Sequence, residues 1–258
     1  MKKLLVVMLA LVNVVGFCLA ADEPYSLALQ ARADAGDAGA QFDLAVCYEV
    51  GRGITQDYAK SVTWYRKSAE QGYARAQCNL GACYQNGHGV RQDAVEAVKW
   101  LQMAADNGDA LAQYDLAVCY QTGAGLSRDY TKAVFWYRKS ADQGDQMGQW
   151  GLGVCYLKGH GVSVDKVEAV KWFRQAAQQG NLESMYLLGL CYLGGNGAPQ
   201  DIIEAYKWFS LACRGRDNPS PQWIEIRNEI KEHMSSAEIN EGNERANEWA
   251  SSFKKSQN

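Results

Sequence analysis

GDALAQYDLAVCYQTGAGLSRDYTKAVFWYRKSADQ, residues Gly108–Gln143, decides the fold, because the chain repeats this 36-residue unit five times without a gap. The units open at Gly36, Gly72, Gly108, Gly144 and Gly180. We number places from each first Gly. Place 9 is always Leu, place 12 Cys, place 13 Tyr, places 16 and 18 Gly, place 22 Asp and place 29 Trp. On a wheel of about 100° per residue, the constant places 5, 6, 9, 10, 12 and 13 fall on one arc. Constant places 26, 27, 29, 30, 33 and 34 share one face of a second segment. Each unit is therefore expected to fold as two amphipathic helices. The paired Gly supplies the turn between them, and Asp57, Asp93, Asp129, Asp165 and Asp201 supply N-cap oxygens for the second helix. Place 10 is Ala or Gly throughout, which lets the two helices approach closely.

AQYDLAVCYQTGAGLSRDYTKAVFWYRKSADQ resembles the Sel1-like repeat, a relative of the tetratricopeptide repeat. The resemblance covers Gly36–Gly215. It implies an all-α fold, an α/α right-handed superhelical solenoid of helix-turn-helix repeats, with the first helices lining a concave surface that binds partners. Such scaffolds serve many unrelated partners, so the fold alone names none.

The organisation expected from the sequence is a signal peptide over residues 1–20, an N-terminal capping helix over 21–35, five repeats over 36–215 and C-terminal capping helices over 216–258. Lys2 and Lys3 precede an apolar run from Leu4 to Phe17, too short to span a membrane. Cleavage after Ala20 would export the protein to the periplasm or beyond the cell. No other stretch is apolar enough to span a membrane. In the N-terminal flank Leu27, Ala28 and Ala31 fall on one side, suited to covering the first unit. In the C-terminal flank Trp223, Ile226 and Ile230 are spaced i, i+3, i+7, and Ser235 with Glu238 forms a capping-box pattern. Atypical end elements of this kind close a repeat array. Units one and three share YRKSA and DLAVCY, while units two and four share GHGV and EAVKW, which suggests a duplicated 72-residue pair.

The formal charge of −3 gives no basic surplus for nucleic acid. Of the eight Cys, Cys47, Cys83, Cys119, Cys155 and Cys191 occupy one equivalent place. Stacked helices stand about 8–10 Å apart, whereas a disulfide needs Cα atoms about 4.4–6.8 Å apart. These five are expected to be buried thiols. The cysteine-rich branch of the resembled family pairs a Cys at the end of one unit with one early in the next. Cys213 and Cys78 lack such partners here. The three His, His88, His160 and His233, have no neighbour at metal-ligand spacing. Each Gly-x-Gly joins helix to helix and is no dinucleotide fingerprint. The Asp series reads as caps, and the Trp and Tyr series as core. No cofactor and no catalytic residue is expected.

The changing arc of the first helices is where a partner would be held. It carries Asp43, Val46 and Glu49; then Arg75, Asn79 and Gln85; then Asp115, Val118 and Gln121. Trp150, Val154 and Leu157 follow, and finally Tyr186, Leu187, Leu190 and Leu193. The arc runs from polar and acidic to apolar. Asp43, Glu49, Asn79, Asp115, Trp150, Leu157, Leu187 and Leu193 are the candidate protein-binding residues, the acids steering a basic segment and the leucines anchoring. Packing of those leucines against a neighbouring unit or the end helices is the competing account, and it also stands for the place-7 series Phe42, Cys78, Tyr114, Trp150 and Tyr186. The function expected is a non-enzymatic scaffold for a protein or peptide. The alternatives are a β-lactamase-like hydrolase, as attributed to cysteine-rich relatives, and a self-associating structural module.

Overall fold

The computed structural model describes residues 24–216 and 218–256. The expected leader, residues 1–20, lies outside the described residues. Thirteen helices and no strand are present among them. A short helix α1 (Leu27–Asp34) comes first, then ten helices of one length: α2 (Ala38–Val50), α3 (Tyr58–Glu70), α4 (Ala74–Asn86), α5 (Ala94–Asp106), α6 (Ala110–Thr122), α7 (Tyr130–Asp142), α8 (Gln146–Lys158), α9 (Lys166–Gln178), α10 (Leu182–Gly194) and α11 (Ile202–Arg214). α12 (Pro221–Glu232) and α13 (Ser236–Ser256) end the chain. The fold is all-α, a solenoid of helix-turn-helix repeats.

The chain forms two compact units, Met1–Asp129 and Tyr130–Asn258. In the first, α2 pairs with α3 and α4 with α5, and each neighbour in sequence packs on the last from α1 to α6. In the second, the same succession runs from α7 to α11, and α12 and α13 both pack on α11.

Within a repeat, place 10 meets place 30. A Cβ added to Gly81 would stand 2.8 Å from Leu101 Cγ, one on Gly153 2.6 Å from the Phe173 ring, and one on Gly189 2.8 Å from the Phe209 ring. The small residue is thus the price of burying a large one opposite it, as the sequence implied. Between repeats, the second Gly of the turn touches the preceding second helix. Gly89 has φ +67, and an added Cβ would lie 2.1 Å from the Tyr58 carbonyl oxygen. Gly125, Gly161 and Gly197 make the same approach to Ala94, Tyr130 and Lys166. In this turn His88 lies 5.3 Å from the Tyr58 ring, and His160 stacks 4.8 Å from the Tyr130 ring.

The cap oxygens sit where the spacing put them. Asp57 accepts from Lys60 N, Asp165 from Glu168 N and Asp201 from Glu204 N, while Asp93 accepts from both Val95 N and Glu96 N. The first helices have caps too, at place 2. Asp37, Asp109, Asp145 and Asn181 accept from Ala40, Ala112, Gly148 and Ser184 at 2.6–2.8 Å. Place 6 ties each repeat backward in the first unit. Gln41, Gln77 and Gln113 donate through Nε2 to the carbonyls of Ala33, Ala69 and Ala105, each at 3.1 Å. These buried amides add a second donor to carbonyls at a helix end that already accept from Gly36 N, Gly72 N and Gly108 N.

The ends differ from the expectation in one respect. Leu27, Ala28 and Ala31 of α1 face outward, Leu27 being 82% exposed, and it is Leu29 and Ala33 that are buried against Ala40, Leu44 and Cys47. So short a helix has two candidate apolar faces, and which is buried depends on its docking angle, which its own sequence does not encode. At the other end Trp223, Ile226 and Ile230 of α12 are buried, and the Ser235–Glu238 capping box is formed, with Ser235 N donating to Glu238 Oε2 at 2.7 Å and Glu238 N to Ser235 Oγ at 3.3 Å. No described helix is long and apolar enough to cross a membrane.

Candidate interaction surface

Places 7, 11 and 14 form one stripe along each first helix, since they are spaced i, i+4, i+7. On α2 the stripe is Phe42, Val46 and Glu49, and all three are buried. The Phe42 ring lies 5.8 Å from Tyr65 and 5.4 Å from Tyr73, with the Arg75 guanidinium 4.6 Å above it. On α4 Cys78, Ala82 and Gln85 are buried as well. On α6 Tyr114, Val118 and Gln121 are half-buried. In the second unit Trp150 and Val154 of α8 are buried and Leu157 is half-buried. On α10 Tyr186 is buried, while Leu190 and Leu193 are half-buried.

Place 8 behaves differently. Asp43, Asn79, Asp115 and Leu187 are all buried, at no more than 5% exposure. Asn79 Nδ2 donates to the Tyr65 hydroxyl at 2.9 Å, and a Cβ on Gly151 would stand 2.6 Å from the Tyr137 ring. Place 8 thus faces place 30 of the preceding repeat. Its residue changes along the chain although solvent does not reach it.

The three candidate acids, Asp43, Glu49 and Asp115, therefore present no charge at the surface. Glu49 Oε2 accepts the Tyr65 hydroxyl at 2.5 Å. Burial pushes the Glu49 carboxyl above its ordinary value, and the Tyr65 hydrogen bond opposes that rise. Burial likewise pushes up the Tyr65 hydroxyl, with the Glu49 charge adding to it. Of the eight residues singled out from the sequence, Leu157 and Leu193 are the two with part of their side chains at the surface. Asp43, Glu49, Asn79, Asp115, Trp150 and Leu187 are interior.

Two features of this face were not drawn from the sequence. The first is α12. Trp223 stacks on Tyr186, ring centres 5.1 Å apart and planes 15° apart, with the Arg216 guanidinium 5.1 Å from the Trp223 ring. An amphipathic helix of the chain itself thus covers the start of the α10 stripe. The signal was present in the i, i+3, i+7 spacing of Trp223, Ile226 and Ile230, but not the surface it would cover. The second is a pair of lysines, Lys158 at the end of α8 and Lys166 at the start of α9. Lys158 acts on the Cys155 thiol and on His160, whose ring is held below its ordinary value first by burial and then by this charge. Lys166 acts on the Cys191 thiol and donates to Asn196 Oδ1 at 2.7 Å.

The cysteines at place 12 are buried, and burial pushes the Cys119 and Cys155 thiols up to about 12 and Cys191 to about 11, the wrong direction for a thiolate nucleophile. No group of three or more His, Cys, Asp or Glu suited to a metal ion occurs among the described residues.

A family model described as the Sel1 repeat matches five consecutive segments, residues 38–73, 74–109, 110–145, 146–181 and 182–217. Among solved structures, the chain is similar to a Sel1 repeat protein from Oxalobacter formigenes at 30% identity and TM-score 0.69, over 77% of this chain and 90% of that one. It is also similar to a protective antigen present in uropathogenic Escherichia coli strains that displays an SLR fold, at 28% identity and TM-score 0.58, over 87% of this chain but 56% of that one. A Sel1 repeat protein from Klebsiella pneumoniae subsp. pneumoniae shares the fold at 23% identity and TM-score 0.52, over 81% of this chain and 100% of that one. No functionally curated protein matches the chain. With the Sel1 repeat matched across residues 38–217 and a two-helix unit for each match, the chain belongs to the Sel1 repeat family.

Proposed function

We propose that the protein is an exported Sel1 repeat scaffold that holds a protein or peptide partner on the face of its first helices and performs no chemistry of its own. The observation that carries the reading is the stripe on α8 and α10, where Leu157, Leu190 and Leu193 stay half-buried while the stripes of α2 and α4 are closed. Apolar surface left on a rigid repeat array is a common mark of an interaction site. A scaffold of this kind needs no nucleophile and no metal, in keeping with the raised thiols. Export rests on the basic start and apolar run of residues 1–20, and likeness to a protective antigen supports it.

The test is a tagged full-length chain expressed in a Gram-negative host, cross-linked in intact cells and recovered. A stoichiometric partner, and a mature N-terminus at Ala21 found outside the cytoplasm, are expected. A chain that retains Met1 in the cytoplasm overturns export, and recovery without any stoichiometric partner overturns the scaffold reading.

A further inference from the structure

The stripe on α10 is divided. Its first member, Tyr186, is covered by the Trp223 ring of α12, and its next two, Leu190 and Leu193, are not fully covered. On α8 the equivalent of Leu193 is Leu157. In the first three repeats that place holds Glu49, Gln85 and Gln121, so apolar surface at place 14 is peculiar to α8 and α10. Two lysines lie near it. Lys158 follows Leu157 directly, and Lys166 is close enough to α10 to act on Cys191. Neither lysine forms an ion pair with another described residue, and Lys158 is half-buried. Lys158 closes α8, whose C-terminal end carries only about half a negative charge, and Lys166 opens α9 directly after its Asp165 cap.

The chain also shows what such a surface accepts. α12 is a helix with an apolar stripe, Trp223, Ile226 and Ile230, beside which the exposed carboxylates Glu225, Glu229 and Glu232 outnumber the cations Arg227 and Lys231. We infer that the continuation of this surface, Leu157, Leu190 and Leu193 with Lys158 and Lys166, receives an amphipathic helix of a partner whose apolar stripe is flanked by carboxylates. The inference rests on the scaffold reading above and adds the chemistry of the partner. The apolar stripe lies in the groove as α12 lies on Tyr186, in the helix-in-groove mode. The carboxylates meet the lysines and set the orientation and the rate of encounter. The acids once expected to steer a basic segment, Asp43, Glu49 and Asp115, are interior and do not reach such a partner.

The probe is a fluorescein-labelled synthetic peptide of residues 219–234, PSPQWIEIRNEIKEHM, titrated against the full-length mature protein and followed by anisotropy. Saturable binding is expected. The same peptide with Lys at its three Glu positions should bind at least about tenfold more weakly at low salt, the difference shrinking as salt rises. Leu193→Ser and Lys158→Glu should each weaken binding of the original peptide at least about fivefold. Both sites are half-exposed, and Lys158→Glu sits at a helix end and removes less apolar contact than the serine variant, so it remains a test even if the serine variant folds poorly. Absence of binding, binding indifferent to both variants, or equal binding of the two peptides overturns the inference. If the wild-type chain still captures a stoichiometric partner in cells, the scaffold reading survives that failure; if it captures none, that reading falls by itself.

Discussion

Glu49 shows how a single residue in a repeat records its neighbours. Its carboxylate is buried, bonded to the Tyr65 hydroxyl, and shifted upward with burial as the larger cause. A folded-state value above the unfolded one means that the folded chain binds more protons between the two values. The contribution of this group to stability is therefore fullest below the ordinary carboxylate range and is lost as pH rises through the raised value. The next two repeats carry Gln85 and Gln121 at the same place, neutral side chains that bring no such penalty. Glu49→Gln keeps an oxygen for the Tyr65 hydroxyl and removes the charge, so it should stabilise the protein at pH 8 and lose most of that advantage near pH 4. Glu49→Ala removes the acceptor and should cost about 1–3 kcal/mol at either pH. Urea unfolding of the three proteins at both pH values checks this. A Gln variant whose advantage is the same at pH 4 and pH 8 would show that the charge carries no penalty.

At the scale of the helix and its turn, much was legible before any coordinates. The recurrence of Leu, Cys, Tyr and Trp at fixed places gave the helix pairs, and the constant Asp gave caps at Asp57, Asp93, Asp165 and Asp201. The candidate surface was less legible, because variation along the chain was equated with exposure. Asn79 and Gly151 are enclosed, because Tyr65 and Tyr137 lie against them across a repeat junction. A wheel drawn for one helix cannot contain that pairing, since the partner is on a helix of the preceding repeat. Gly72, which opens a repeat, and Gly89, in the turn within it, both have positive φ. Gly89 also sits against the Tyr58 carbonyl, whereas Gly72, at φ +86, has nothing within 4 Å of an added Cβ. Gly72→Ala should therefore cost about 1–2 kcal/mol, the left-handed backbone penalty alone. Gly89→Ala adds a steric overlap with main chain that only a parting of the repeats can relieve, and it should cost at least about 3 kcal/mol. Thermal unfolding of both variants decides it. Equal losses would mean that the junction yields freely and that the close approach holds nothing in place.

For the molecule as a whole, stability in a repeat protein is a sum over units and their junctions, since each unit leans only on its neighbours. A chain with eight Cys in an exported setting would ordinarily add disulfides to that sum. Here the place-12 thiols lie one to a repeat, buried beside the constant Leu, and Cys83, Cys119, Cys155, Cys191 and Cys213 are free thiols. Burial raises every one of these five. A thiol near 12 is ionised to about one part in ten thousand at pH 8, against about one in four for an unfolded cysteine at its ordinary value. Access is restricted as well, so native thiols should react with iodoacetamide at least about a thousandfold more slowly than those of the urea-unfolded chain. The melting temperature should then be the same, within about 1 °C, with and without dithiothreitol. Mass spectrometry of the alkylated peptides assigns the label to each repeat. Rapid labelling of any place-12 cysteine in native buffer would mean that its repeat opens on its own. A melting temperature that falls with reductant would mean that cross-links, and not the packed helix pairs, hold the array together.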